Sequence, residues 1–123
     1  MNPDLRDPAR LREWLMRNYY LQEEMKAFPP LSGGLADDIP YENKRALFCE
    51  AAACRMEIYD FLKGCTLKPR EMEVVRQHCI QCKSWNEIAR FMKKDRRYLI
   101  RVFGRAVRRL AQQVAEETDG KPL

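Results

Sequence analysis

The sequence predicts an all-α fold, and three observations carry that prediction. Apolar residues recur three and four apart through five successive segments, the spacing of one helical face. Helix-start signals stand in front of these segments: Asp7-Pro8, Pro69, Ser84 with Glu87, and Asp95. No stretch alternates polar and apolar residues as a half-buried strand does. A hydrophobic share of 46% beside 33% charged residues is that of a folded chain, so disorder is not expected.

Each element follows from local chemistry. Asp7 is a suitable N-cap, and Pro8 sits at the first helical position, where its missing N–H costs nothing. Leu11, Trp14, Leu15, Tyr19 and Met25 continue the apolar face, and Pro29-Pro30 stop the helix near Ala27. Residues 28–40 (FPPLSGGLADDIP) are predicted as a loop. A second helix is expected from Tyr41 to Lys63, closed by Gly64 in a left-handed cap. Leu47, Ala51, Cys54, Ile58, Phe61 and Leu62 form its buried stripe. A third helix starts at Pro69 and runs to about Gln81. The fourth opens on the capping box of Ser84 and Glu87 and stops near Met92. The fifth begins after Asp95 and extends to about Glu116.

The length of 123 residues allows one ordinary core without disulfides or metal. The expected organisation is an N-terminal helical extension of two helices (1–64), serving packing or dimerisation, a helical binding module (65–117), and a flexible tail (118–123). No apolar run approaches the ~20 residues that span a bilayer. The charged opening MNPDLRDPARLREW has no signal-peptide core, so a cytoplasmic protein without membrane partners is expected. Five cysteines in such a chain are expected to be free thiols.

The net charge of +5 is unevenly placed. Residues 1–64 hold 9 Lys/Arg against 11 Asp/Glu, whereas 65–123 hold 14 against 7. Within 83–109 the count is 10 basic to 2 acidic, the footprint of a polyanion binder. A short helix, a turn of Lys93-Lys94-Asp95 and a longer helix make a helix-turn-helix pattern. On the last helix Leu99, Val102, Phe103, Ala106 and Leu110 cluster on one side. Arg97, Arg101, Arg105 and Arg108 fall on the other, with Gly104 among them. Like charges at i,i+4 repel by roughly 0.2–0.5 kcal/mol per pair, and no acidic residue lies between Arg96 and Val114 to relieve them. An anionic partner relieves them, and arginine offers two-pronged geometry to guanine edges and phosphates. Arg96 and Tyr98 sit in the first turn, where such helices touch bases. Gly104 either admits a close backbone or phosphate or is a tolerated surface glycine.

The pattern Leu67, Arg70-Glu71, Val74-Val75, then Ser84-Trp85, Glu87-Ile88-Ala89 and Met92, then Leu99, Phe103, Arg105-Ala106 and Leu110 resembles region 4 of bacterial sigma factors. The resemblance implies a reading helix near the −35 promoter element and a contact with RNA polymerase. It assigns base reading to Arg96, Arg97 and Arg101, beside Tyr98. It assigns phosphate contact to Lys83, Lys93, Lys94 and Arg108, with Arg105 on the same stripe. Lys94 stands where the family carries an apolar residue, and Cys82 where it carries a glycine. No counterpart of the strand-opening sigma region is present in residues 1–64. The arrangement is therefore similar to small phage or mobile-element regulators rather than to initiation factors. The partners implied are double-stranded DNA and, as alternatives to a transcriptional regulator, RNA polymerase for an adapter or a ring of copies for a DNA-packaging subunit. A homodimer is left open.

Other signals weigh less. Cys79 and Cys82 form a C-x-x-C pair, but Cys49 and Cys54 lie about 140° apart on their helix and do not face one metal. Cys79 continues the stripe of Met72 and Val75 and is expected in the core. His78 is expected at the surface. With one histidine, no glycine-rich phosphate loop and no paired carboxylates beyond Asp37-Asp38 in the loop, neither an enzyme nor a cofactor is expected.

Overall fold

A computed structural model describes the backbone of residues 4–26 and 41–119 and the side chains of 4–26 and 46–117. The predicted loop at 28–40, with Asp37 and Asp38, lies outside the described residues, as does nearly all of the tail. The described residues are helical and contain no strand. The order is α1 (Pro8–Leu15), α2 (Arg17–Lys26), α3 (Tyr41–Lys63), α4 (Pro69–Val75), α5 (Trp85–Met92) and α6 (Arg96–Asp119). A π-helical turn, Arg76–Ile80, extends α4. Among the described residues, six helices therefore stand where five are predicted, and three of them precede residue 65.

The extra helix arises at Met16, where ψ of −1° interrupts the first helix and divides α1 from α2. Packing explains the break. Leu11, Leu15 and Met16 are buried, and α1 packs on α6 while α2 lies against α3 and the π turn. One straight helix cannot serve both surfaces. Asp7 caps α1 as predicted, its side chain accepting from the Ala9 N–H at 3.1 Å. Asn18 carries α2 onto the π turn: its Nδ2 donates to the carbonyls of Cys79 (3.0 Å) and Ile80 (3.3 Å). The third contact of Nδ2 is the Cys82 Sγ at 3.1 Å.

The core is one cluster drawn from both halves of the chain. Leu11, Leu15, Ile58 and Leu62 meet Val74, Val75, Ile88, Leu99 and Leu110, all almost wholly excluded from solvent. Each such leucine contributes about 1.5–3 kcal/mol by leaving water. Trp14 packs edge-on against Phe61 at 5.3 Å, and Tyr19 lies 4.7 Å from His78. Two of the N-terminal aromatics thus face inward, while Tyr20 is exposed. Helix α3 ends without the expected left-handed glycine. Gly64 keeps an ordinary φ, and two tight bonds, Gly64 N–H to Phe61 O and Cys65 N–H to Leu62 O, close the last turn.

The surface position expected for His78 is wrong. Its side chain is buried, stacked on Trp85 at 4.1 Å and edge-on to Phe103 at 5.5 Å. Tyr19 closes the cluster from α2. Nδ1 donates to the Lys83 carbonyl at 2.8 Å, which assigns the ring proton to Nδ1 in the neutral form. The π turn makes this possible. The Gln81 N–H reaches back to Arg76 O and the Lys83 N–H to Gln77 O, both at 2.9 Å, so the extra residue is absorbed before α5. Cys82 takes a φ of 58° in that closure, the left-handed conformation a glycine adopts readily.

Two predictions follow from these positions. Burial holds the His78 pKa below its ordinary 6.5, against the opposing hydrogen bond to Lys83. Below about pH 6.5 the unfolded chain therefore binds a proton that the folded one refuses, and stability falls as pH falls. Thermal melts between pH 8 and 5 should show this slope, and His78→Gln should flatten it. Lys93, the residue closing α5, has φ 55° and ψ 45°. An L-residue pays about 1–2 kcal/mol for this region, so Lys93→Gly is expected to raise stability by about 0.5–1 kcal/mol in urea unfolding.

Candidate nucleic-acid interface

Helix α6 is held from three sides. Helix α4, helix α5 and helix α1 all pack on it. Leu99, Val102, Phe103, Ala106, Val107, Leu110 and Ala111 are the buried residues of its apolar arc. Its start is capped as the sequence predicts: Asp95 accepts from the Arg97 N–H at 2.8 Å. The preceding helix is capped likewise, with Glu87 N–H donating to Ser84 Oγ at 3.2 Å and Ser84 N–H to Glu87 Oε1 at 3.3 Å. The bond from the Ser84 N–H holds the Glu87 carboxyl below its usual range. Between the helices, Ala89 is partly buried and its carbonyl takes the Lys94 N–H at 3.2 Å. The turn is thus short, with both ends fixed by hydrogen bonds.

Opposite the apolar arc, Arg97, Arg101, Arg105 and Arg108 are all exposed. Among the described residues none of the four has a carboxylate within ion-pair distance. Arg109 differs. Its Nε meets Glu71 Oε2 at 3.1 Å, and Glu71 is 95% buried. The other carboxylate oxygen of Glu71 accepts from the Lys68 N–H at 3.2 Å, so this pair clamps the start of α4 to α6. The buried Glu71 carboxylate is thus taken by Arg109, which lies outside the row.

The remaining predicted residues fall in distinct settings. Arg96 is exposed and donates to Asn86 Oδ1 on α5 at 3.4 Å. Tyr98 is half-buried, and its hydroxyl accepts from Arg70 Nη1 at 2.7 Å. That bond lowers the Tyr98 pKa, uses a lone pair and leaves the O–H as a donor. Lys93 and Lys94 are exposed in the turn. Lys83 stands at the other end of α5, half-buried, with Nζ 4.6 Å from the Phe91 ring. The structure thus places the four arginines of the row on one face of α6 and leaves Lys83 with a separate cluster of Glu87, Arg90 and Phe91.

Two basic residues absent from the sequence assignment adjoin this face. Arg70 shares a shallow groove with Tyr98 and Arg105. Its place in the Leu67–Val75 part of the resemblance was the available signal. Arg12 comes from α1, and no local pattern could have found it. The expectation for Gly104 is corrected with it. The glycine is buried, and what approaches is the Arg12 side chain: a Cβ at 104 would lie 3.7 Å from Arg12 Nη2.

The cysteines are dispersed. Cys79 is fully buried, and burial pushes its thiol far above the ordinary range; Cys82 is raised for the same reason. Among the described residues no group of three potential metal ligands converges, and no helix is long and apolar enough to cross a membrane. Comparison with protein-family models, with curated proteins and with solved structures gives no match.

The Gly104 geometry is testable. A separation of 3.7 Å is ordinary van der Waals contact, so a methyl group fits. Glycine inside a helix costs about 0.8–1 kcal/mol relative to alanine. Gly104→Ala is expected to raise stability by nearly that amount in denaturant unfolding, and a loss would contradict the placement of α1.

Proposed function

We propose that the protein is a sequence-specific DNA-binding transcriptional regulator in which α5 and α6 act as a helix-turn-helix. Helix α5 braces, and α6 lies in the major groove. One observation carries the reading: four exposed arginines share a face of α6, and among the described residues no carboxylate pairs with any of them, Glu71 being taken by Arg109. Left alone, the row is a set of like charges at i,i+3 and i,i+4 separations. Against a phosphate-lined groove each becomes a charge-assisted donor.

The chemistry distributes the roles. Arg97 and Arg101, one turn apart near the start of α6, are the base readers, with Arg96 and Tyr98 beside them. Arginine spans guanine O6 and N7 with two parallel bonds. Arg105 and Arg108, further along, meet phosphate, as do Lys93 and Lys94 from the turn. Lys83 sits at the start of α5, where a helix N-terminus also favours an anion.

Binding should weaken steeply with salt, because phosphate neutralisation releases counterions. With a selected duplex, Arg97→Ala and Arg101→Ala are each expected to lose about 1–3 kcal/mol and to relax preference at one base position. The measurement is a fluorescence-anisotropy titration against a panel of single-base variants. Parental binding by both mutants would falsify the groove assignment. Capture of RNA polymerase by a mutant that no longer binds DNA would favour an adapter instead.

A further inference from the structure

We infer that Arg12, carried by α1, is a further guanidinium of this interface and contacts the phosphate backbone of duplex DNA. The inference rests on the reading of α6 just given and extends it to the N-terminal helix.

The slot is defined by Gly104. On α6, Arg101 and Arg108 stand at i−3 and i+4 from that glycine, so their side chains flank it on one face. Position 104 itself offers no side chain, and Arg12 Nη2 lies 3.7 Å from where its Cβ would be. The guanidinium of α1 thus occupies the gap in the row. It is exposed, and its central carbon stands 5.9 Å from the Phe103 ring, at the outer limit of a cation–π contact. Among the described residues no carboxylate pairs with it. A cation set among cations, with only a weak ring contact to hold it, is positioned for a shared anion. The evenly spaced charges of a phosphodiester backbone match that arrangement.

Arg10 provides the internal control. It is also exposed and on α1, but about 200° around the helix from Arg12, where it lines a hollow with Glu13, Trp14 and Arg17. Removing it changes the net charge equally.

The test measures affinity for a random-sequence duplex at stepped salt for the parent, Arg12→Gln, Arg10→Gln and Arg12→Lys, with a melting curve for each. Arg12→Gln is expected to weaken binding roughly three- to tenfold, alike for all sequences, and to lower the log–log salt slope by about 1. Arg10→Gln should leave the slope unchanged, and Arg12→Lys should keep it by retaining the charge. If Arg12→Gln shifts the melt, the Arg12→Lys slope decides. Equal slopes for the parent and Arg12→Gln overturn the inference while α6 stands. A parent that fails to bind duplex DNA at low salt overturns both.

Discussion

The structure depends on the two-sided character of α6. Its buried residues occupy roughly 200° of arc at ~100° per residue, so three other helices can pack on it at once. What remains is a narrow outer strip, and arginine fills it. The same seating that buries Leu99, Phe103, Ala106 and Leu110 fixes where Arg97, Arg101, Arg105 and Arg108 point. The core face and the proposed interface are two faces of one helix. A change that rotates α6 in its seat would spoil both.

The helices around α6 are registered by polar and aromatic contacts as well as by apolar packing. His78 joins α2, the π turn, α5 and α6 through Tyr19, Trp85 and Phe103, and its hydrogen bond to Lys83 fixes the approach to α5. Glu71 performs a similar task at the other end, tying α4 to Arg109. Asn18 pins α2 to the end of the π turn. Such bonds are directional, so they set register where apolar contact alone allows sliding. The N-terminal helices are consequently built into the core, which also places Arg12 against α6.

What was legible in the sequence was local. The capping box of Ser84 and Glu87, the cap at Asp95, the proline starts at Pro8 and Pro69, and the bounds of α3 all involve residues within a few positions of one another. The outward row and its opposing apolar stripe were legible because helical period alone determines them. What escaped depends on partners distant in the chain. The break at Met16 reflects two packing surfaces that the first segment meets only in the folded state. His78 is polar by type and buried by its ring neighbours. Gly104 looks like a surface glycine until α1 is laid over it, and Arg12 belongs to no motif. The partner of Arg109, Glu71, comes from α4 and stands on no helical wheel of α6.

The proposed function requires the α6 guanidiniums to face an anionic partner. Arginine side-chain NMR during titration with duplex DNA tests it directly, since each Nε–H reports on its own environment. Resonances of Arg97, Arg101, Arg105 and Arg108 should shift together and saturate at one stoichiometry, while Arg109, held by Glu71, moves little. Saturating DNA that leaves those four unmoved, or shifts that fall instead on α3, would contradict the proposed function.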